Sequence, residues 1–105
     1  MQIKYDKDLG IVIRPDRLFD YMAGNECIEK TEAYLRAHGC VQITIDFRET
    51  LFMDSSGIGA LIALMHKLPP QSPAIRLIHP SKSIHKLIEV CCLHRLFAIE
   101  AESDI

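Results

Sequence analysis

Hydrophobic and polar positions change period several times along the chain, and each change marks an element. Ile3 and Tyr5 alternate with polar residues, Asp6-Lys7-Asp8 interrupts, and Leu9-Gly10-Ile11-Val12-Ile13 follows, which together predict an opening hairpin. Pro15 ends the second strand. From Asn25, a favoured N-cap, the apolar period lengthens to that of a helix. Cys27, Ile28, Thr31, Tyr34, Leu35 and His38 fall on one stripe, and Gly39 supplies the stop. Glu26, Glu29, Lys30, Glu32 and Arg36 make its polar face.

The segment Val41-Gln42-Ile43-Thr44-Ile45-Asp46-Phe47 returns to period two and is rich in β-branched residues, which predicts a strand central in its sheet. A loop from Arg48 to Leu51 leads into a stretch, Ser56 to Lys67, that is almost wholly apolar. Ile58, Leu61, Ile62 and Met65 there lie at core spacing, and Pro69-Pro70 ends the helix. Ala74 to Ile78 predicts the next strand, Ser81 to Cys92 a third helix, and Ala98 to Ala101 a short last strand. The order ββαβαβαβ predicts an α/β fold: a mixed sheet with its helices packed on one face, because right-handed crossovers place them together.

With 105 residues and 49% hydrophobic content, the chain is expected to form one globular domain over residues 1–105. A formal net charge of −2 and the lack of any Lys/Arg cluster argue against nucleic acid as a partner. The longest apolar run, Ile58 to Met65, is too short to span a bilayer, and the first residues carry no leader pattern. A cytoplasmic protein with no membrane partner is the expectation. Cys27, Cys40, Cys91 and Cys92 are read as reduced, with Cys91-Cys92 as buried packing. The histidines at 38, 66, 79, 85 and 94 are scattered, and no CxxC or HxxxH spacing gathers ligands, so neither metal nor cofactor is expected.

The stretch with most chemistry is Phe52-Met53-Asp54-Ser55-Ser56-Gly57-Ile58-Gly59, where a carboxylate and two hydroxyls open an apolar helix. Asp54, Ser55 and Ser56 are each favoured N-cap residues, so capping alone accounts for them. A hydrolase nucleophile is the next reading, but the stretch is not GxSxG and no motif places a histidine and carboxylate beside it. Gly57 and Gly59 form neither a GxxxxGK[ST] loop nor a GxGxxG fingerprint. A phosphorylated serine is a third reading. It would add about 1.5 to 2 negative charges beside helix-terminal N–H groups, which suits a switch better than an active site.

The same eight residues resemble the signature of the STAS domain, in particular of the bacterial anti-sigma factor antagonists. The strand Val41 to Phe47 fits that family, and Arg17-Leu18-Phe19-Asp20 resembles the segment where it carries an acidic residue at the end of its second strand. The resemblance covers roughly residues 2 to 100. It implies a non-enzymatic partner switch. The unmodified protein would bind an anti-sigma factor that is also a GHKL-type, ATP-dependent serine kinase, and so free the kinase's other target.

By the match, Ser55 is the residue phosphorylated, Ser56 its capping neighbour, and a PP2C-type phosphatase restores the unmodified state. Asp20 and Asp54 would lie near Ser55. With Ser55, Ser56 and Gly57, they would meet the partner together with Gly59, Ala63 and His66. The stripe Ser56, Gly59, Ala63 and His66 is mostly small, which lets a partner helix approach closely. A monomer or weak homodimer is implied.

The chain departs from the family in carrying Ala23-Gly24 where Thr-Ala commonly follows the acidic residue, and Cys92 where a glycine often ends the third helix. With the last strand near Ile105, the family's closing helix is expected to be short or absent. A STAS subunit acting as a structural or regulatory piece of a larger assembly, of the lipid-transporter or stressosome type, is the alternative. Such versions often lack the Ser55 equivalent.

Overall fold

The first turn is made by a single carboxylate: Asp6 Oδ1 accepts the N–H groups of Asp8 (2.7 Å) and Leu9 (3.0 Å), closing an Asx turn between two strands. The computed structural model describes residues 1–39, 42–68, 75–91 and 97–100, the side chains of 98–100 excepted. In chain order it contains β1 (Gln2–Asp6), β2 (Gly10–Arg14), β3 (Leu18–Phe19), α1 (Tyr21–His38), β4 (Ile43–Asp46), β5 (Phe52–Met53), α2 (Ser55–His66), β6 (Arg76–Ile78), α3 (Lys82–Val90) and β7 (Ala98–Glu100). Five strands form one sheet in the order β1-β2-β4-β6-β7, with β1 antiparallel to β2 and the remaining pairs parallel. The predicted hairpin is present, and β4 is central as its period-two sequence implied.

Alternation puts Ile11, Ile13, Ile43, Ile45 and Leu77 on one face, in register as Ile11↔Ile43, Ile13↔Ile45 and Ile45↔Leu77. These side chains form a single buried cluster with Cys27 of α1, Ile58, Leu61 and Leu64 of α2, and Ile84 and Ile88 of α3. All three helices therefore cover the same face. The strand order explains this, since β2, β4, β6 and β7 step across the sheet in one direction and right-handed crossovers of one direction share a side. The opposite face carries Thr44 and Asp46, both buried. Thr44 Oγ1 donates to the Leu9 carbonyl (3.1 Å), and Asp46 is paired with Arg14 (3.3 Å) and Arg48 (2.8 Å).

Three differences from the sequence reading concern ends of elements. First, α1 begins at Tyr21 and not at Asn25: Asp20 is its N-cap, accepting the Ala23 N–H at 3.0 Å. The exposed Tyr21 and Met22 lie off the apolar stripe, so periodicity gave no sign of this first turn. Second, Asp20 ends not the second strand but β3, which pairs in parallel with β5 as a separate two-stranded sheet. Third, Cys91 is an exposed free thiol at the end of α3 rather than buried packing. Cys40, Val41, Pro69, Pro70, Ala74, Cys92 and the region of the closing helix, 101–105, lie outside the described residues.

Helices α1 and α2 run side by side in the same direction: Gly24 in the first turn of α1 meets Ala60 midway along α2, and Glu32 further along α1 pairs with Lys67 at the end of α2 (3.4 Å). Gly24 is what permits the close approach, because a Cβ there would sit 2.4 Å from the Ala60 Cβ. Gly57 does the same for the approach of α2 to β3, where a Cβ would lie 2.2 Å from the Phe19 carbonyl oxygen. Overpacking in a fitted contact costs about 1–3 kcal/mol, against about 1 kcal/mol gained by replacing a helical glycine. Gly24→Ala is therefore expected to be neutral to about 2 kcal/mol destabilising. Gly24→Ala combined with Ala60→Gly, which moves the methyl across the contact, should return stability to within about 0.5 kcal/mol of wild type. Urea unfolding of the four proteins of this cycle measures the coupling.

Candidate functional site

The short pair β3–β5 decides where the acidic residues go. Leu18 is opposite Phe52 and Phe19 opposite Met53, so the next residues, Asp20 and Asp54, leave adjacent strands about 4.8 Å apart. Phe19 anchors the pair to the main core, fully buried and edge-on to Phe47 with ring centroids 5.8 Å apart. Arg17 adds to the join, its carbonyl accepting the N–H groups of Leu51 (2.8 Å) and Phe52 (3.0 Å). Each aspartate then caps a helix, Asp20 on α1 and Asp54 on α2.

At the start of α2 the carboxylate and the two serines have different tasks. Asp54 Oδ1 accepts the Gly57 N–H at 3.0 Å and the Ser56 hydroxyl at 2.7 Å. The Ser56 hydroxyl and the Gly57 N–H hold the Asp54 carboxyl below the usual aspartate range. Asp54 is thus the cap and Ser56 braces it from inside the helix, whereas Ser55 is exposed at the first helical position. Sequence alone left the cap open among all three. The first N–H groups of α2 lack intrahelical acceptors, and the parallel start of α1 adds a second positive helix end beside them.

The structure brings Asp20, Asp54, Ser55, Ser56 and Gly57 to one end of the helix pair. Gly59, Ala63 and His66 follow along α2, with Gly59 and His66 exposed and Ala63 half-buried. His66 is eleven residues from Ser55, about 16 Å at 1.5 Å per residue, and so is out of reach of the Ser55 hydroxyl. Among the described residues no group of three His, Cys, Asp or Glu side chains is placed to hold a metal ion. Burial pushes the Cys27 thiol up to about 12, which leaves it a core side chain and not a nucleophile.

The sequence reading missed the apolar rim of this end. Leu18, Tyr21, Met22, Leu51 and Phe52 are all large and exposed, with Phe52 at 64% and Met22 at 77%. Leu18 and Phe52 are register partners on the outer side of the small sheet, so their side chains stand together. The signal was present in Leu18-Phe19 and Phe52-Met53, each of which turns one large apolar side chain in and one out. A two-residue strand is too short for alternation to be recognised.

Because the native contacts lower the Asp54 pKa, the cap contributes stability above the ordinary aspartate value of about 3.9 and loses it as pH falls through the lower folded-state value. Asp54→Ala is expected to be less stable than wild type at neutral pH, with the difference shrinking in strong acid. Urea midpoints of both proteins across that range check it.

Two comparisons extend this geometry. The solved structure of the anti-sigma factor antagonist SpoIIAA in its unphosphorylated form shares the fold with a TM-score of 0.74 over 97% of this chain and 88% of that chain, at 22% sequence identity. The family model for the STAS domain matches residues 2–104. With that match over nearly its whole length, the chain belongs to the STAS domain family.

Proposed function

We propose that this protein is a cytoplasmic partner-switching regulator of the anti-sigma factor antagonist kind, acting as a single binding domain and not as an enzyme. Unphosphorylated, it binds an anti-sigma factor that is also a GHKL-type serine kinase, which frees a sigma factor or an equivalent target. Phosphorylation of Ser55 ends that binding, and a PP2C-type phosphatase restores it. The observation that carries this reading is the exposed Ser55 at the first position of α2, beside two aspartate-capped helix starts and an apolar rim. The fold shared with SpoIIAA supports the same role.

The physics of the switch is local. In the free protein a phosphate on Ser55 is solvated and favoured by two parallel helix starts. In a complex that covers Leu18, Phe52 and Met22, the same phosphate loses water and faces Asp54 and Asp20. The modification therefore weakens the complex more than the fold, with no rearrangement of the sheet. Ser55, Ser56, Gly59, Ala63 and His66 supply the α2 side of the interface and Asp20 with the rim the α1 side, while Gly57, buried against Phe19, contributes only by letting α2 lie close to β3.

Incubation with the cognate kinase and ATP should add one phosphate to wild type and none to Ser55→Ala. Ser55→Ala should bind the kinase at wild-type strength, and Ser55→Asp at least about tenfold more weakly, a difference of about 1.4 kcal/mol. Absence of phosphate on wild type, with an active kinase, would instead point to a constitutive STAS subunit of a larger assembly.

Gly59 gives an independent check, because a Cβ there meets nothing within 4 Å. Gly59→Ala should raise stability by up to about 1 kcal/mol through helix propensity. Gly59→Arg should fold normally yet lose kinase binding by isothermal titration; retained binding would remove this face of α2 from the interface.

A further inference from the structure

Leu51 joins the apolar rim to a second surface. It is one wall of a cleft of about 430 Å³ at the carboxyl ends of the parallel strands β4 and β6, lined by Arg48, Thr50, Leu51, His79, Pro80 and Ser81. The same Leu51 is among the large apolar side chains exposed on the rim, so a partner that covers the rim reaches the mouth of the cleft. Arg48 is the charged side chain of the six, and none of the described lining residues is acidic.

The walls are ordered before any partner arrives. The Phe47 N–H donates to the Ile78 carbonyl (2.9 Å), tying the ends of β4 and β6 together, and the Thr50 N–H donates to the Phe47 carbonyl (3.0 Å), closing the turn after β4. Leu51 holds the other end of the loop through its N–H on the Arg17 carbonyl at 2.8 Å. Asp46 fixes Arg48 twice, Oδ1 accepting its backbone N–H at 3.0 Å and Oδ2 its Nε–H at 2.8 Å. Half of the Arg48 side chain nevertheless stays exposed, and its two Nη groups meet no acceptor among the described residues. A guanidinium held along one edge and open along the other is set to take a second carboxylate, with little side-chain entropy left to lose. The nearby Glu49 does not fill that place: it lies 3.8 Å from Arg14 and does not line the cleft.

We propose that the kinase's footprint continues from the rim into this cleft, where it sets an aspartate or glutamate side chain on the Nη groups of Arg48 and an apolar neighbour against Leu51 and Pro80. This contact presupposes the partner-switching role and adds to it the chemistry of the partner. The end of the molecule then carries two signs of charge on either side of an apolar strip, Asp20 and Asp54 at the helix starts and Arg48 in the cleft. A partner has to match both signs at once, which fixes its orientation and excludes surfaces that match one alone.

Amide spectra of the isotope-labelled full chain, with and without the unlabelled cognate kinase, test it together with titration calorimetry of Arg48→Glu, Arg48→Lys and Ser55→Asp. The amides of Arg48, Thr50, Leu51, His79 and Ser81 should shift or broaden on complex formation, a readout on wild type that does not depend on how a variant folds. Arg48→Glu should bind at least about tenfold more weakly, and Arg48→Lys, which keeps the charge and loses the fork, should fall between it and wild type. A kinase variant with one acidic interface residue replaced by lysine should restore binding to Arg48→Glu. Cleft amides unmoved by the kinase, wild-type affinity in Arg48→Glu, or failure of every such kinase variant to restore binding would each overturn the proposal. Cleft shifts that follow the concentration of this chain alone would assign the surface to a second copy and overturn it as well. Weaker binding in Ser55→Asp with none in Arg48→Glu would remove the cleft contact and leave the switch standing, whereas a wild type that does not bind the kinase would remove both.

Discussion

The contact between Gly24 and Ala60 leaves no room for one further methyl, and the position of the site depends on it. It sets the first turn of α1 against the middle of α2, and the strands that lead into these helices, β3 and β5, are paired with each other. The larger core does not supply this constraint. Ile11, Ile13, Ile43, Ile45 and Leu77 hold the helices on the sheet through apolar burial, which is strong but not directional. A fitted contact between small residues specifies distance, as in other close helix pairs. The departure from the family at Ala23-Gly24 falls at this contact, so it bears on how the two helices are spaced.

Charge then follows from that spacing. Two parallel helices bring their positive ends together, an arrangement that needs nearby anions. Asp20 and Asp54 provide them, each with an oxygen on a backbone N–H of its own helix. Ser56 takes up further capacity of Asp54 through its hydroxyl, which leaves Ser55 as the serine at this end that is both exposed and outside the cap. The division of work between adjacent serines is thus fixed by helix geometry, since the first residue after the cap points outward while the next reaches back.

Much of this was legible in the sequence. The period-two runs gave β1, β2, β4 and β6, the apolar helix gave α2, and the strand–helix alternation gave the one-sided layering. The eight-residue stretch from Phe52 to Gly59 contains the capped start of α2 on which the candidate site is built. What escaped lay in short or ambiguous segments: β3 and β5 are two residues each, and their pairing is a tertiary event that local pattern cannot show. Asn25 is a good cap residue inside a helix that Asp20 already caps. The apolar rim escaped for a related reason, because Tyr21 and Met22 read as ordinary hydrophobic residues until the fold leaves them in solvent.

The rim bears on how the proposed binding and the fold can be separated. Leu18, Phe52, Tyr21 and Met22 are exposed, so covering them by a partner adds to the complex and nothing to the isolated fold. Phe19 and Met53, their neighbours in the chain, face inward and hold the small sheet in place. Each two-residue strand therefore divides its side chains between the core and the exposed rim. On the proposed reading, a charge added at Ser55 would alter the surface beside the rim while Phe19, Phe47 and Ile58 stay packed beneath it. The proposed switch would need only this surface to change, because the packed scaffold beneath it does not include the rim.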